Sequence, residues 1–312
     1  MIIPNHNGLA LLEKHLPAAI AAAQEVGATV VLSDDASSDG SPEWVEAAFP
    51  GVEVLRSERR SGFGITCNRA AHRYPAEILA LLNSDVAVPV AWIRSLLPAL
   101  DDPTVFSVNP GIRVSNRPHA NDGFTCFSFR HGLLTAVGPY FLSSVGAPST
   151  VGPTGYGVGA AVLVDGQKFR AIGGFDPCLR PYYYEDADLG FSAWERGWSC
   201  LCDPRIEVLH DHQGTIGRTE PKGVLEQTFF MNRVLFTWKH ISSADLILRH
   251  LVWLVRYLPT HAYRRRWPEI RGLLAAFGRA PALLPHRPRH PRLTDREVMA
   301  RAQPVNLGGM PE

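Results

Sequence analysis

Short apolar runs alternate with longer segments of helical spacing along the first hundred residues. The runs have the length of buried strands, and the segments between them have the periodicity of amphipathic helices. The predicted strands are Met1–Ile3, Ala28–Ser33, Val52–Arg56 and Ile78–Leu82. The predicted helices are Leu11–Val26, Pro42–Phe49, Phe63–Arg73 and Val90–Leu100. This alternation predicts an α/β fold with a mostly parallel, Rossmann-like sheet that is covered by helices on both faces.

The pattern changes in the second half of the chain. Residues 111–157 are rich in glycine, proline and serine, and we expect long loops there around a short β-like piece at Thr125–Phe129. Three further strands are predicted at Gly159–Val164, Ser199–Cys202 and Ile206–His210, and further helices at Glu185–Trp198, Val224–Lys239 and Ala244–Tyr257. We therefore divide the chain into a catalytic domain, residues 1–240, and a basic amphipathic helical extension, residues 241–312.

Composition excludes several classes of protein. With 312 residues, 46% of them hydrophobic, the chain can bury a full core, which excludes a disordered tail, a collagen-like repeat and a disulfide-stapled mini-protein. The net charge of +1 gives no indication of a polyanionic partner, so no nucleic acid is expected to bind. The five cysteines are odd in number and lack C-x-x-C spacing, which is typical of a protein of the reducing cytosol.

Carboxylates follow several predicted strands or begin a predicted helix. They are Asp34 and Asp35, Asp39, Asp85, and Glu185 and Asp186 with Asp188. Acids at the carboxyl ends of parallel strands suit a hydrogen-bonded base or ribose, or a divalent cation. Each has a structural alternative, because the same residue types form turns and helix caps and complement a helix dipole. His210, which ends an apolar strand, also fits a buried structural histidine.

Taken in order, seven segments resemble the family 2 glycosyltransferases, inverting enzymes of the GT-A fold, and among them the bacterial rhamnosyltransferase-like branch. The segments are IIPNHNG, VVLSDDASSDGS, the turn Arg60–Gly64 that leads to Asn68, LLNSDV, GAAVLV followed by GGFD, YYYEDADLGFSAWERGW, and VLHDH. The resemblance covers about residues 1–240. It implies transfer of a sugar from a nucleotide-diphosphate donor to a glycan or lipid-linked acceptor in surface-polysaccharide synthesis. The branch favours dTDP-rhamnose as the donor, ahead of UDP- or GDP-sugars.

The resemblance also assigns roles to individual residues. It assigns nucleotide binding to Pro4, Asn5, Asn7, Asp34, Gly62, Asn68 and Ser84. Among these, Asp34 is expected to accept a hydrogen bond from the base. Asp85 ends the segment that replaces the family's D-x-D motif and is expected to hold Mg²⁺ or Mn²⁺, with His210 beside the metal or diphosphate. Because the first acid of that motif is Asn83, metal affinity rests on fewer charges.

The resemblance implies that Asp186 is the catalytic base, with Glu185 as the second candidate. Sugar transfer needs a cation to stabilise the leaving diphosphate and a base to take the proton of the acceptor hydroxyl. Two other classes stay open: a glycoside hydrolase with Asp85 and Asp186 as its carboxylate pair, and an inactive nucleotide- or glycan-binding module. A sugar-nucleotide pyrophosphorylase would need a glycine-rich phosphate loop where this chain has PNHNG at 4–8.

The basic residues are concentrated near the C-terminus. From Lys239 onward the chain has 13 basic and 5 acidic residues, against 18 and 25 before it. No run reaches the roughly 18 uncharged apolar residues of a membrane span. The arginines accompany apolar faces at Leu246–Leu258 and Ile270–Phe277; they are Arg264, Arg265, Arg266, Arg271, Arg279, Arg287, Arg289 and Arg292.

The aromatic residues of this segment, Trp253, Tyr257, Tyr263 and Trp267, are of the kind that settles at a lipid interface. We therefore expect a cytoplasmic protein that binds peripherally to the anionic inner face of the cytoplasmic membrane. In the alternative, these helices only pack on the catalytic domain with their arginines in water.

Overall fold

The computed structural model describes residues 1–114, 117–138, 149–211, 220–263, 265–288 and 290–304. The strands are β1 Ile2–Asn5, β2 Val31–Asp34, β3 Glu53–Leu55, β4 Ile78–Leu82, β5 Val86–Ala87, β6 Val105–Val114, β7 Arg117–Asn121, β8 Cys126–Arg130, β9 Leu133–Val137, β10 Gly152–Thr154, β11 Ala161–Asp165 and β12 Ser199–His210. The helices are α1 Leu9–Glu25, α2 Ser41–Ala48, α3 Phe63–Arg73, α4 Trp92–Leu96, α5 Gly166–Ile172, α6 Glu185–Glu195, α7 Lys222–His240, α8 Ala244–Tyr263, α9 Trp267–Leu283 and α10 Asp295–Arg301.

The central sheet is mostly parallel, as predicted. Its strand order is β10-β12-β6-β11-β4-β1-β2-β3, with β5 paired to β12 and β7 paired to β6. Strands β1 to β4 are parallel, and β6 and β12 run in the same direction as these four because β11 is antiparallel to both β4 and β6. The structure confirms the α/β class and the C-terminal helices.

Alternate residues of the central strands enter two separate cores, one on each face of the sheet. Ile2, Val31, Leu81 and Val162 belong to the first core, with α3, α6 and α7. Their neighbours Ile3, Leu32, Leu82 and Leu163 belong to the second, with α1 and α4. The continuous apolar runs of the sequence therefore reflect strands that are buried on both sides.

One prediction of two strands proved to be a single strand. Ser199–Cys202 and Ile206–His210 are joined in β12, which pairs in parallel with β6 along its length. The pairing shifts register between Asp203 and Glu207, opposite the adjacent residues Pro110 and Gly111. Pro204 lies in this bulge, where the missing backbone N–H of proline breaks no ladder bond. The proline therefore interrupts the sequence pattern without ending the strand.

The C-terminal helices pack against the same core as the sheet. Helix α7 contributes Phe230, Val234 and Phe236 to the first core, and α9 contributes Leu273 and Ala276. At Gly272 of α9 the helices are so close that a Cβ atom would lie 2.7 Å from the carbonyl oxygen of Gln227. The predicted boundary at residue 240 falls at the end of α7. Among the described helices, none has the length and apolar character that crossing a membrane requires.

A buried ionic network joins α6 to α7. The Lys239 ammonium lies 2.8 Å from a carboxylate oxygen of Asp176 and 2.7 Å from one of Asp188. His240 lies between Asp188, at 2.8 Å, and Glu195, at 3.0 Å. Burial opposes the charge on Asp188, but Lys239 and His240 lower its pKa to about 2. Burial also opposes the charge on His240, yet Glu195 and Asp188 raise its pKa overall.

Lys239→Met should destabilise the fold by about 3–5 kcal/mol, because it removes the buried ammonium that the carboxylates of Asp176 and Asp188 share. Urea unfolding measures this change. Arg56→Met is the matched control, since it removes a basic side chain that is paired with Glu43 and Glu46 at the surface, and it should leave the urea midpoint nearly unchanged. Equal midpoints for the two variants would contradict the role given to the network.

Candidate active site at the carboxyl edge of the sheet

A cavity of about 500 Å³ opens where the parallel strands end. This is the edge at which ligands bind in open α/β sheets. The residues that line it are Pro4, Asn5, His6, Leu11, Asp35, Arg60, Gly62, Phe63, Thr66, Asn83, Ser84, Asp85, Pro181, Tyr182, Tyr183 and His210. Of the predicted nucleotide-binding residues, Pro4, Asn5, Gly62 and Ser84 lie on its wall, and so do both predicted metal ligands.

Strand pairing brings Asp85 and His210 together although 125 positions separate them in the sequence. The two-residue strand β5 runs antiparallel to the end of β12, with Val86 opposite His210. The backbone N–H of Asp211 donates to the carbonyl of Asp85 at 2.9 Å and extends this pairing. As a result Nε2 of His210 lies 3.2 Å from Oδ1 of Asp85.

Asp35 organises the loop that precedes α3. Its two carboxylate oxygens accept the backbone N–H groups of Ser61, at 2.7 Å, and Gly62, at 2.8 Å. Gly62 has a φ of +91°, and a Cβ atom there would lie 2.1 Å from the carbonyl oxygen of Pro181. The glycine therefore allows the loop to touch the opposite wall of the cavity.

Asp34 is buried and faces its own loop. Its carboxylate accepts the side-chain amide of Asn5 at 3.0 Å and the backbone N–H of Ser37 at 3.0 Å. Asn7 does not line the cavity either; its Oδ1 accepts the N–H of Ser38 at 2.8 Å. These bonds connect the loops after β1 and β2, and contact of Asp34 and Asn7 with a nucleotide stays a prediction.

Asn68 also lies away from the cavity wall. Its side-chain amide donates to the carbonyl of Phe175 at 2.8 Å and accepts the N–H of the same residue at 2.9 Å. This pair of bonds attaches α3 to the GGFD segment, and a role in nucleotide binding stays a prediction.

Glu185 and Asp186 adjoin the cavity wall rather than line it. Burial and the charge of Asp186 raise the pKa of Glu185 to about 8. Burial also raises the pKa of Asp186. The backbone N–H of Ala187, which donates to its carboxylate at 2.8 Å, lowers this pKa but does not cancel the effect of burial. Burial therefore favours the protonated form of both carboxyl groups, and that of Glu185 is favoured through the neutral range.

The ring of Phe63 lies between the cavity and this acid pair. Phe63 lines the cavity, and its ring also approaches Gly159, where an added Cβ would lie 2.9 Å from it. Gly159 and Asp186 line a second, very small cavity.

The donor set at the cavity wall fits a hard divalent cation. A carboxylate and an imidazole converge there, and oxygen ligands from a diphosphate could complete a coordination shell. A second cluster, Asp176, Cys178 and His286, has ligand atoms within 4.8 Å of one another. It suits a cation poorly, because Asp176 already pairs with Lys239, and burial with the adjacent Asp176 raises the pKa of the Cys178 thiol to about 11.

Sequence reasoning missed several residues of the site. Tyr182, Tyr183 and Arg60 line the cavity, and Arg60 forms an ion pair with Glu220 at 3.0 Å. Lys239 and His240 were assigned to no site. The position of Asp35 directly after Asp34 at the end of a strand did indicate a site residue. The pattern of a single sequence does not show, however, which of two adjacent acids faces the cavity.

The mostly parallel sheet with a cavity at its carboxyl edge has the architecture of the GT-A fold. Residues 1–131 match the model of glycosyl transferase family 2, which confirms the resemblance drawn from the sequence.

Curated relatives are similar over much of the chain. An N-acetylglucosaminyl-diphospho-decaprenol L-rhamnosyltransferase of Mycobacterium tuberculosis is 28% identical over 233 residues, covering 66% of this chain and 74% of the relative. A pre-mycofactocin glycosyltransferase of the same species is 28% identical over 230 residues, covering 72% of this chain and 43% of the relative.

Solved structures share the fold. The structure of GalNAc-T7 with UDP, GalNAc and Mn²⁺ superposes with a TM-score of 0.61 at 21% identity, over 78% of this chain and 48% of that one, so the chain spans about half its length. A structure of Staphylococcus aureus TarS residues 1–349 with UDP-GlcNAc gives a TM-score of 0.55 at 12% identity, over 92% and 80%.

Gly62→Ala should destabilise the protein by about 1–3 kcal/mol more than Gly40→Ala. Both glycines have positive φ, +91° and +80°, so both variants carry the strain of a left-handed residue. Only the Cβ at residue 62 meets backbone, because nothing lies within 4 Å of a Cβ at residue 40. Urea unfolding of the two variants compares them, and equal losses would show that the loops do not touch as described.

Proposed function

We propose that this chain is an inverting glycosyltransferase that moves a sugar from a nucleotide-diphosphate donor to the hydroxyl of a lipid-linked glycan. The observation that carries the proposal is the pair Asp85 and His210 on the wall of a 500 Å³ cavity, in a chain with a glycosyl transferase family 2 domain. The cavity has room for a nucleoside diphosphate and a sugar ring.

The donor side of the cavity is the wall formed after β1 and β4. Backbone and side-chain groups of Asn5, Ser84 and Asp85 face this side, and Arg60 offers a cation to phosphate oxygens. Asp85 and His210 would hold Mg²⁺ or Mn²⁺, which supplies Lewis-acid stabilisation of the leaving diphosphate when bound. We keep Asp34 as the proposed acceptor of a hydrogen bond from the base.

Asp85→Asn should abolish Mn²⁺-dependent binding of dTDP or UDP, because the cation loses the carboxylate that is proposed to bind it. His210→Ala should weaken the same binding less, since imidazole is a secondary partner for a cation that prefers oxygen. Isothermal titration calorimetry with and without Mn²⁺ measures both. Asp101→Asn, at an exposed acid, is the control. Unchanged Mn²⁺ dependence in Asp85→Asn would exclude the proposed metal site.

Asp186 is proposed to take the proton of the acceptor hydroxyl. The backbone N–H of Ala187 donates to the carboxylate of Asp186 at 2.8 Å and favours the ionised form that a base needs, whereas burial and the charge of Asp186 raise the pKa of Glu185 to about 8. The acceptor would approach past Phe63, whose ring packs edge-to-face on Phe175 with centroids 5.5 Å apart. Attack from the face opposite the leaving diphosphate gives inversion.

Asp186→Asn should lower turnover about 10²-fold or more while donor affinity stays near that of the wild type. It should also lower the pKa of Glu185 below about 8, because the neighbouring negative charge is gone. Turnover and a carbon-13 NMR titration of the Glu185 carboxyl group measure the two effects. If Glu185→Gln loses the rate and Asp186→Asn does not, the two roles are exchanged.

The rhamnosyltransferase relative supports rhamnose as the transferred sugar and an N-acetylglucosaminyl-diphospho-decaprenol as acceptor. The choice of dTDP-rhamnose as donor follows from the resemblance to the rhamnosyltransferase-like branch. The test is transfer of labelled sugar from dTDP-rhamnose, UDP-sugars and GDP-sugars to a short-chain analogue of this acceptor, with the anomeric configuration of the product determined by NMR. Inverted product from one donor supports the proposal. Release of sugar from a glycan without any nucleotide would favour the hydrolase alternative.

A lipid-linked acceptor lies at a membrane, so an exposed apolar surface of this chain is a candidate for membrane contact. The outer face of α8 is such a surface. Leu246, His250 and Tyr257 face the core, whereas Leu248, Val252 and Val255 on the opposite face are 52–78% exposed. A helix that is apolar on both faces needs a partner on each. We propose that the outer face lies in the interfacial layer of an anionic membrane, next to the exposed Arg249 and Arg256, at the cytoplasmic side.

The structure changes which tail residues serve this role. Tyr257 is buried and stacks on Phe230 at 5.1 Å, so it is unavailable to lipid, whereas Tyr263 and Trp267 are 90% and 53% exposed. Arg266 pairs with Glu269 at 2.8 Å. Arg287 donates to the carbonyl of Ile241 and Arg279 to two loop carbonyls. Arg264 and Arg289 lie outside the described residues.

Val255→Glu should reduce binding to phosphatidylglycerol–phosphatidylcholine vesicles at least about tenfold, because it removes an apolar anchor and adds a repelled charge. Val90→Glu is the matched control, since Val90 is 47% exposed on the catalytic domain. Flotation at low and high salt measures binding, and sedimentation equilibrium detects a dimer. Failure of the wild type to float, or a dimer formed through this face, would exclude the membrane role.

A further inference from the structure

Residues 179–184, here called the tyrosine loop, connect the core to the acid pair. Tyr182 and Tyr183 of this loop line the cavity, and Tyr184 is the N-cap of α6, directly before Glu185 and Asp186. The loop's conformation therefore fixes both a wall of the cavity and the place of the proposed base. Tyr183 and Tyr184 have φ values of +75° and +73°. Residues other than glycine rarely adopt a positive φ, and they do so only where contacts with neighbouring residues stabilise that backbone conformation.

Asn232 of α7 holds the tyrosine loop from below. Its side-chain amide lies 2.6 Å from the carbonyl oxygen of Leu179, 3.0 Å from that of Tyr182 and 2.9 Å from that of Tyr183. Asn232 is completely buried. One amide nitrogen thus contacts three carbonyl oxygens within a span of five residues. In an extended loop these three carbonyls would lie too far apart to reach a single donor.

Arg279 of α9 holds the same stretch of backbone from a second side. Its Nη1 donates to the carbonyl of Cys178 at 3.0 Å and to that of Arg180 at 2.7 Å. Together, Asn232 and Arg279 bind the carbonyls of 178, 179, 180, 182 and 183. The tyrosine loop has its third contact at Gly62, on the nucleotide side of the cavity.

We propose that Asn232 and Arg279 are positioning residues for sugar transfer, which hold the tyrosine loop in the conformation that places the acid pair beside the cavity. The C-terminal helices are then part of the catalytic apparatus in addition to any role at a membrane. This inference rests on the proposed function for its effect on turnover, but the effect on the loop itself does not depend on it.

The test is Arg279→Met in the full chain, with Arg170→Met as the matched control. Arg170 of α5 is exposed where Arg279 is half-buried, and it too donates to a backbone carbonyl, that of Ala76 at 3.0 Å, away from the cavity. In Arg279→Met, amide hydrogen exchange of residues 176–187 should rise at least about tenfold while that of β4 stays unchanged. In the transfer assay kcat should fall by about 10- to 100-fold, and the donor KM should change less. Arg279→Lys should recover part of both losses.

Asn232→Ala should have the same effects in larger measure, provided that it folds; Arg279→Met keeps the test valid if it does not. Unchanged exchange in the tyrosine loop would overturn the proposal. So would equal effects in Arg170→Met, or exchange that rises throughout the protein, because either result would show general destabilisation. If the wild type transfers no sugar, the proposed function fails, and hydrogen exchange alone still decides whether the two side chains hold the loop.

Discussion

The site depends on one constraint, which is that the strands of the parallel part of the sheet end at a common edge. Asn5 ends β1, Asp34 ends β2, and Asp85 follows β4 by three residues. His210 reaches the same edge because β12 runs parallel to β6. The short antiparallel pairing of β5 with the end of β12 then closes the distance to 3.2 Å. Without that pairing the side chains of Asp85 and His210 would belong to distant strands.

A second level of organisation comes from the C-terminal half of the chain. Helix α6 presents the acid pair at its first turn and binds Lys239 and His240 of α7 through Asp188. The same α7 carries Asn232, which holds the loop before the acid pair. Helix α6 is therefore held at two points, by the Lys239 ammonium at Asp188 and by the Asn232 amide at the loop before the N-cap. The carboxylates of α6 therefore differ in their environment. Asp188 is ion-paired with Lys239 and His240, which lower its pKa, whereas the pKa values of Glu185 and Asp186 are raised.

Strands β1 to β4 and helices α1 to α4 were predicted from the sequence, because buried strands and amphipathic helices leave strong periodic signals. Strand β6 was not predicted, and neither were β7, β9 and β10, which lie within residues 111–157, where the sequence shows no strong periodicity. Helix α3 begins and ends at the predicted residues Phe63 and Arg73, and β4 at Ile78 and Leu82. The proximity of Asp85 and His210 was implied by the family resemblance, since no local pattern contains a pairing across 125 residues. The duties of Asn232 and Arg279 could not be predicted, because a polar residue in an apolar helix shows no partner until the fold supplies one.

The tail shows a different limit. Periodicity identified apolar residues in α8 but not which of its two apolar faces meets the core, so Tyr257 was grouped with the exposed aromatics although it is buried. Arg279 was counted with the arginines of a basic surface, yet it binds loop carbonyls. Charge and hydrophobicity indicate that a surface exists, and only packing decides which residues form it.

The most direct test of this account is the anomalous diffraction signal of Mn²⁺ in crystals grown with dTDP or UDP. The account predicts a manganese peak beside Asp85 and His210, with the diphosphate oxygens of the nucleotide in its coordination shell and the nucleotide in the 500 Å³ cavity. A manganese peak at Asp176, Cys178 and His286 with none beside Asp85, or a nucleotide bound outside this cavity, would contradict it.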